Sequence, residues 1–239
     1  MKKLLKKLSV IAITLITVNQ AFAQDPDFDK EGHTEYREYH KNKKPHSLFS
    51  KRDFGLYLGL NTFYKPDGTP ELKDFPSRYV ALQWRKNHKL ITGKQMDVAL
   101  GTGLEVGWNN FMLKEDEKFI SIGEVSTLTN TDKSYEKVKL VSTTLSIPVM
   151  LQFGFKESDF RFGIGAYGGM RVNSYQKFKQ NDGDKFREKE DFNLRKFNYG
   201  LTAEAGKGDF RLFVKYDILP AFNDANPING NTISFGVRL

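Results

Sequence analysis

The chain has 239 residues, 37 Lys and Arg against 29 Asp and Glu, and no cysteine. That excludes a disulfide framework, an acylated N-terminal cysteine, thiolate metal sites and cysteine nucleophiles. The formal charge of +8 falls to +4 once the four lysines of the first 23 residues are set aside, leaving 33 basic groups interspersed with 29 acids, so no nucleic-acid partner is expected.

The chain opens on Lys2, Lys3, Lys6 and Lys7, followed by a short apolar run from Ser9 to Val18 and by Ala21-Phe22-Ala23. These are the three parts of a secretory signal peptide, with cleavage expected between Ala23 and Gln24. The apolar run is about half of the roughly 20 residues that a membrane-spanning helix needs. Gln24 to Lys51 contains 12 charged residues and almost no aliphatics. Such a segment buries too little apolar surface to fold alone, and residues 24–52 read as a flexible charged periplasmic extension. His33, His40 and His46 fall within it at spacings of seven and six, which suit a shared metal poorly.

From residue 53 onward the pattern has period two, and eight segments carry it. Phe54, Leu56, Leu58 and Leu60 alternate with Gly55, Tyr57, Gly59 and Asn61. Val80, Leu82 and Trp84 alternate with Tyr79, Ala81, Gln83 and Arg85, and a longer third segment sets Val98 to Trp108 against Ala99, Gly101, Gly103, Glu105, Gly107 and Asn109. The fourth, from about Leu140 to Phe155, places Leu145, Ile147, Val149, Leu151 and Phe153 opposite Ser146, Met150 and Gln152. The fifth sets Phe160, Phe162, Ile164, Ala166, Met170 and Val172 against Arg161, Gly163, Gly165, Tyr167, Gly169 and Arg171. Phe197 to Ala205, Phe210 to Ile218 and Ile233 to Leu239 complete the series, opposite faces that include Glu204, Arg211, Lys215, Asp217 and Arg238.

Alternation arises in a soluble sandwich with its apolar face inward and in a membrane barrel with its apolar face outward. The second face separates the two. Here it is built from glycine with scattered Arg, Glu, Asp and Tyr, which suits the narrow lumen of a closed barrel, where charges must pair to offset desolvation. The expectation is an all-β, eight-stranded antiparallel transmembrane up-and-down β-barrel over residues 53–239, in a Gram-negative outer membrane, with membrane lipid and the barrel-insertion machinery as partners. Connections after even-numbered strands should be short and those after odd-numbered strands long. Lys156 to Asp159 and Lys207 to Asp209 are short, whereas Met112 to Lys137, Gln176 to Lys196 and Pro220 to Gly230 are long. Lys86 to Gln95, which includes His88, is long for a periplasmic turn, and its Leu90 and Ile91 are candidates to extend a strand. Pro148 lacks an N–H and should mark a bulge. The last residue is Leu239, where such barrels commonly end on an aromatic residue that the insertion machinery reads; Phe235 is a partial substitute.

Gly163-Ile164-Gly165-Ala166-Tyr167-Gly168 spells a dinucleotide fingerprint, but it lies within an alternating strand, where no helix N-terminus meets a pyrophosphate. These are read as packing glycines, and no cofactor or metal is expected. The inward charges Glu105, Arg161, Arg171, Glu204, Arg211, Lys215, Asp217 and Arg238 read as a lumenal salt-bridge network that fixes strand register, not as a catalytic cluster. A lipase or protease would need a nucleophile, a base and an orienting group, and no histidine is placed to serve one, which leaves a serine paired with a lysine or an acid as the open alternative.

Leu145-Ser146-Ile147-Pro148-Val149-Met150-Leu151 resembles the Leu-Glu-Ile-Pro-Leu-Leu-Leu segment of the PorT-like outer-membrane β-barrel family of Bacteroidota. Phe162 to Gly169 is similar to the glycine-rich strand that follows there. The resemblance spans about residues 50 to 239 and implies an eight-stranded outer-membrane barrel. Ser146 stands where that family carries Glu, so no ion pair is expected at that position. The family's namesake is associated with type IX secretion. Because an eight-stranded barrel is filled by its own side chains, the leading expectation is a non-enzymatic barrel that displays long loops for binding or envelope assembly. The alternatives are an accessory subunit of a secretion complex, with a periplasmic protein partner, and a narrow small-solute channel.

Overall fold

A computed structural model describes residues 47–64, 72, 77–113, 117–131, 135–224, 226 and 230–239, all within the unit Pro45–Leu239. The expected cleavage site at Ala23 and Gln24, and His33, His40 and His46, lie outside the described residues.

Eight long strands form the body: β1 (Arg52–Tyr64), β2 (Arg78–Thr92), β3 (Met96–Met112), β6 (Tyr135–Phe155), β7 (Phe160–Gln180), β9 (Phe197–Lys207), β10 (Phe210–Pro220) and β11 (Asn231–Arg238). Three short strands, β4 (Glu117–Ile122), β5 (Val125–Asn130) and β8 (Lys185–Glu188), belong to the connections. The ring runs β6-β3-β2-β1-β11-β10-β9-β7, and the pairing of β7 with β6 closes it. Every rung is antiparallel. The seam between the first and last strands is sealed to the final residue, as Leu56 N donates to Leu239 O and Leu239 N to Leu56 O, each at 2.9 Å.

The apolar set of each strand faces outward, as the alternation requires of a barrel in lipid: Leu104, Ile147, Ile164, Leu201, Leu212 and Phe235 are exposed, whereas Tyr57, Gln83, Glu105, Gln152 and Glu204 are buried. On β6 the outward series from Leu145 to Phe155 covers about ten residue steps, roughly 33 Å along the strand. At a tilt of about 40° this becomes about 25 Å along the barrel axis, the height of the apolar band of an outer-membrane barrel. Phe54, Phe155, Phe160 and Phe210 ring the short-turn end, and Phe197 and Tyr199 flank the long-loop end. These are the two aromatic girdles of such a band.

Three local expectations change. Lys86 to Gln95 is not a long turn, and Leu90 and Ile91 extend a strand as their residue types allowed: β2 continues through His88 to Thr92 against β3, and only residues 93–95 turn. Leu90 is the extra residue of a bulge between Lys89↔Ala99 and Ile91↔Val98, so Leu90 and Ile91 are both exposed. Pro148 marks no bulge, since it pairs in register with Tyr167 of β7. The β3–β6 ladder keeps one register from Thr102↔Val149 to Glu105↔Ser146, so the missing N–H costs rungs without shifting the strand. The bulge falls higher, where Thr144↔Arg171 is followed by Thr143↔Asn173, leaving Val172 as an extra residue. That extra residue reverses the phase of β7 and turns Gln176 and Phe178 inward.

The third change concerns the approach to β1. Ser47 to Lys51, expected to belong to the solvated extension, are docked at the short-turn mouth. Phe49 is buried, Leu48 N donates to Asp97 Oδ2 at 2.8 Å, and Asn87 holds this segment through Ser50 O (2.9 Å) and Lys51 O (3.0 Å). Leu48 and Phe49 supply the apolar surface that the preceding charged stretch lacks.

Arginine at outward Leu104 is expected to lower stability by about 2–4 kcal/mol in lipid. Denaturant unfolding in phospholipid vesicles measures this, with Leu104→Ile as the control; an unchanged midpoint for Leu104→Arg would reverse the facing assignment.

Candidate functional site

Inward residues of alternate strands meet across a narrow lumen, and the charges among them form two groups. In the group nearer the short-turn end, Glu204 on β9 is the hub. Arg85 on β2 donates to Glu204 Oε1 at 2.7 Å, to Gln152 Oε1 at 3.1 Å and to the Tyr57 hydroxyl at 3.0 Å. Tyr57 in turn donates to Glu204. Arg211 approaches the same carboxylate at 3.5 Å and Arg238 at 3.9 Å, while Arg238 pairs with Asp53 at 2.6 Å. Two glycines leave room for these long side chains. A Cβ at Gly101 would stand 2.6 Å from Arg85 Cδ, and one at Gly55 would stand 2.7 Å from Arg238 Nε.

Phe213 packs between this group and the next, edge-on to Tyr57 with ring centroids 5.1 Å apart, and Gln83 links the two, its Oε1 3.0 Å from the Tyr57 hydroxyl and its Nε2 donating to Glu105. Beyond it, Glu105 accepts from Lys215, from the Tyr79 hydroxyl at 2.9 Å and from Gln83 Nε2 at 2.9 Å. Lys215 lies over the Tyr167 ring at 4.3 Å, and the Tyr167 hydroxyl donates to Asp217 at 2.5 Å. The cavity left among Tyr79, Glu105, Lys215 and Asp217 is about 20 Å³, room for about one water molecule.

Two of the eight expected network members stand apart. Arg161 pairs with Asp159 at 3.1 Å at the short-turn rim and lines a cavity of about 350 Å³ there, beside the docked Phe49. Arg171 donates to the backbone carbonyls of Arg195 (2.5 Å) and Ala221 (3.4 Å), and so ties two long connections to the barrel wall. Arg85 is the principal omission from the expected network. Its place on the inward phase of β2 was readable, but its partner Glu204 lies 119 positions away, and only closure of the barrel brings the two together. Asp53 and the Asp97–Lys156 pair at 3.1 Å are also visible only by extending the alternation past the apolar segments.

Above the lumen the character of the interior changes. Phe111, Leu113, Phe119, Val138, Leu140, Phe178, Phe192, Leu194, Ala221 and Phe222 form one buried apolar cluster at the long-loop end. The connection between β3 and β6 folds as the β4–β5 hairpin, and Gln176 brackets its Phe119: Phe119 N donates to Gln176 Oε1 at 2.9 Å and Gln176 Nε2 donates to Phe119 O at 2.7 Å. Ser126 then accepts from Asn193 Nδ2 at 3.2 Å and donates to Phe192 O at 2.7 Å, while its N–H donates to Asn226 Oδ1 at 2.5 Å. Phe192 and Asn193 hold positive φ angles of 51° and 49° to reach these partners. Three connections far apart in sequence thus make one folded head. Its outer surface presents Ile122, 73% exposed, and β8, which among the described residues pairs with β7 alone.

Chemically, the lumen is a core of paired ions, centred on Arg85–Glu204 and Lys215–Glu105. His88, the described histidine, is exposed on β2. Among the described residues no group of three His, Asp or Glu side chains is placed to hold a metal.

Residues 22–226 match the family described as outer membrane protein beta-barrel domain. No curated protein matches the chain.

Glu204→Gln removes the charge that three arginines share, and we expect a loss of about 3–5 kcal/mol. The double change Arg85→Met/Glu204→Leu should recover only the part owed to Arg85, because Arg211 and Arg238 still lose their shared carboxylate, as read by denaturant midpoints in micelles. Gln176→Ala leaves both backbone groups of Phe119 without partners, a cost of about 1–3 kcal/mol. Limited proteolysis should then cut within residues 117–130 while the barrel stays intact.

Proposed function

The chain belongs to the outer membrane protein β-barrel domain family, and from that premise we propose that it is a non-enzymatic barrel whose task is to hold its folded head outside the membrane for binding or envelope assembly. The observation that carries this reading is the contrast between a filled lumen and an organised long-loop end. Ion pairs and aromatic rings fill the middle of the lumen, where the cavity among Tyr79, Glu105, Lys215 and Asp217 is about 20 Å³. Meanwhile three connections share a ten-residue buried cluster. Loops that served only to join strands would not need such a core. In an outer-membrane barrel the short turns face the periplasm and the long connections face outward, which puts the head at the cell surface. A small-solute channel is disfavoured by the same filled lumen, because conduction would require breaking the Arg85–Glu204 and Lys215–Glu105 pairs.

A second reading, an accessory subunit of a secretion or envelope-assembly complex, is favoured by the approach to β1. Ser47 to Lys51 are fastened at the short-turn mouth, the end at which a periplasmic partner would meet the barrel. The PorT-like motif around Pro148 points the same way.

Photocrosslinking in cells from Ile122, with and without residues 24–46, separates the two. Head-dependent partners should persist without the extension; their loss on its deletion would favour the secretion-complex reading. The folded protein should be silent in planar bilayers, and discrete conductance would restore the channel.

A further inference from the structure

On the outer face of the sheet that β6, β7 and β8 form at the long-loop end, cations stand opposite cations. One row reads Lys139↔Lys177 across β6–β7 and Lys177↔Arg187 across β7–β8; the next reads Lys137↔Lys179 and Lys179↔Lys185. Their sequence neighbours Val138 and Phe178 are buried and Phe186 packs against the head's apolar cluster, so these six cations share the opposite, outward face. Arg78 on β2 is near enough to act electrostatically on Lys139, as are Lys177 and Arg187. Like charges directly opposed on a sheet are destabilising. The acid bound into the rows is Glu136, paired with Lys179 and, at 3.4 Å, with Lys137. The row of Lys139, Lys177 and Arg187 forms no ion pair among the described residues; Lys139 donates to Asn110 Oδ1 at 3.2 Å, and Arg187 lies over the Tyr175 ring at 5.2 Å.

Position tells what the rows face. Descending β7 from Lys177, the outward side chains are Tyr175 and then the exposed Val172 and Met170 of the apolar band. Lys177 lies five residues beyond Val172, roughly 16 Å along the strand and less along the tilted axis. An apolar band, an aromatic ring with both an apolar body and a polar tip, and then unpaired cations follow one another in the order of hydrocarbon, interface and headgroup layer.

We propose that the outward face made by Lys137, Lys139, Lys177, Lys179, Lys185 and Arg187 binds the phosphate groups of lipid headgroups in the leaflet at the long-loop end. Phosphates between the rows convert cross-strand repulsion into charge-assisted hydrogen bonds, and Arg187 can present two donors to one phosphate. This use of the outer face is independent of what the head binds.

The test uses the full chain folded in zwitterionic detergent micelles and a fluorescent bisphosphorylated lipid A as probe. The folded protein should bind it at least tenfold more tightly than the dephosphorylated lipid. Lys139→Gln/Lys177→Gln/Arg187→Gln should weaken binding at least tenfold, Lys139→Arg/Lys177→Arg should preserve it, and Arg52→Gln/Lys86→Gln at the opposite rim should leave it within twofold. Should the triple variant fail to fold, the unaltered protein still decides: raising salt from about 0.1 to 0.5 M must weaken binding of the phosphorylated lipid, as screening requires. Equal affinity for both lipids, an unaffected triple variant, or an equal loss in the opposite-rim variant overturns the proposal. So does displacement of the lipid by millimolar inorganic phosphate, which would mark a soluble-anion site.

Discussion

The constraint on which the rest depends is that a closed sheet of eight strands, apolar on its outside, must satisfy every charge it turns inward. Lipid offers nothing outside, and the lumen is too narrow for bulk water. Arg85 and Glu204 meet this constraint at the centre, 2.7 Å apart and both almost fully buried. Around them the strands are locked in register, because a slip of one residue would exchange every inward charge with an outward apolar side chain. The price of a charged core is the desolvation of its ions, and the carboxylates of Glu204 and Glu105 offset it by accepting from several donors each.

That arrangement also determines where the molecule can act. Arg85, Tyr57 and Phe213 fill the lumen at one level, and Tyr79, Glu105 and Lys215 fill it at the next. What remains available is the two ends and the outer face. The short-turn end receives the Phe49 segment, and the long-loop end carries a head with its own apolar cluster. Along β1 and β3 the inward surface changes from polar within the apolar band to apolar above it. Phe111 follows Glu105 and Asn109 on the inward phase of β3, and Phe63 follows Tyr57 and Asn61 on that of β1. Their rings stack at 4.5 Å above the last charges of the lumen.

The head shows how a barrel strand becomes part of a small soluble fold. The extra residue Val172 turns Gln176 and Phe178 inward, and from that one change follow the clasp on Phe119 and the stacking of Phe178 on Phe186, 4.7 Å apart. It also sends Lys177 and Lys179 outward into line with Lys137 and Lys139. The apolar inner surface of the head and the cationic outer surface are thus two consequences of the same bulge.

The alternation of Phe, Leu, Ile and Val with Gly and charged residues was enough, by itself, to determine the barrel, its strand number and which side of each strand meets lipid. Period two is a local property, and every residue states its own face. The short and long connections gave the ends their asymmetry in the same way. Partnerships across the lumen were not local. Arg85 could be assigned to the inside but not to Glu204, and Arg171 was grouped with the charges although closure brings it to the carbonyls of Arg195 and Ala221. Nor did anything in residues 112–137 announce a hairpin clasped by Gln176. A bulge adds one residue without any distinctive side chain, so its effect on phase appears only when the neighbouring strand is laid beside it. Tertiary structure alone decided which charges meet, where β7 changes phase and that the long connections fold together, because each depends on contacts between residues that only the closed ring makes neighbours.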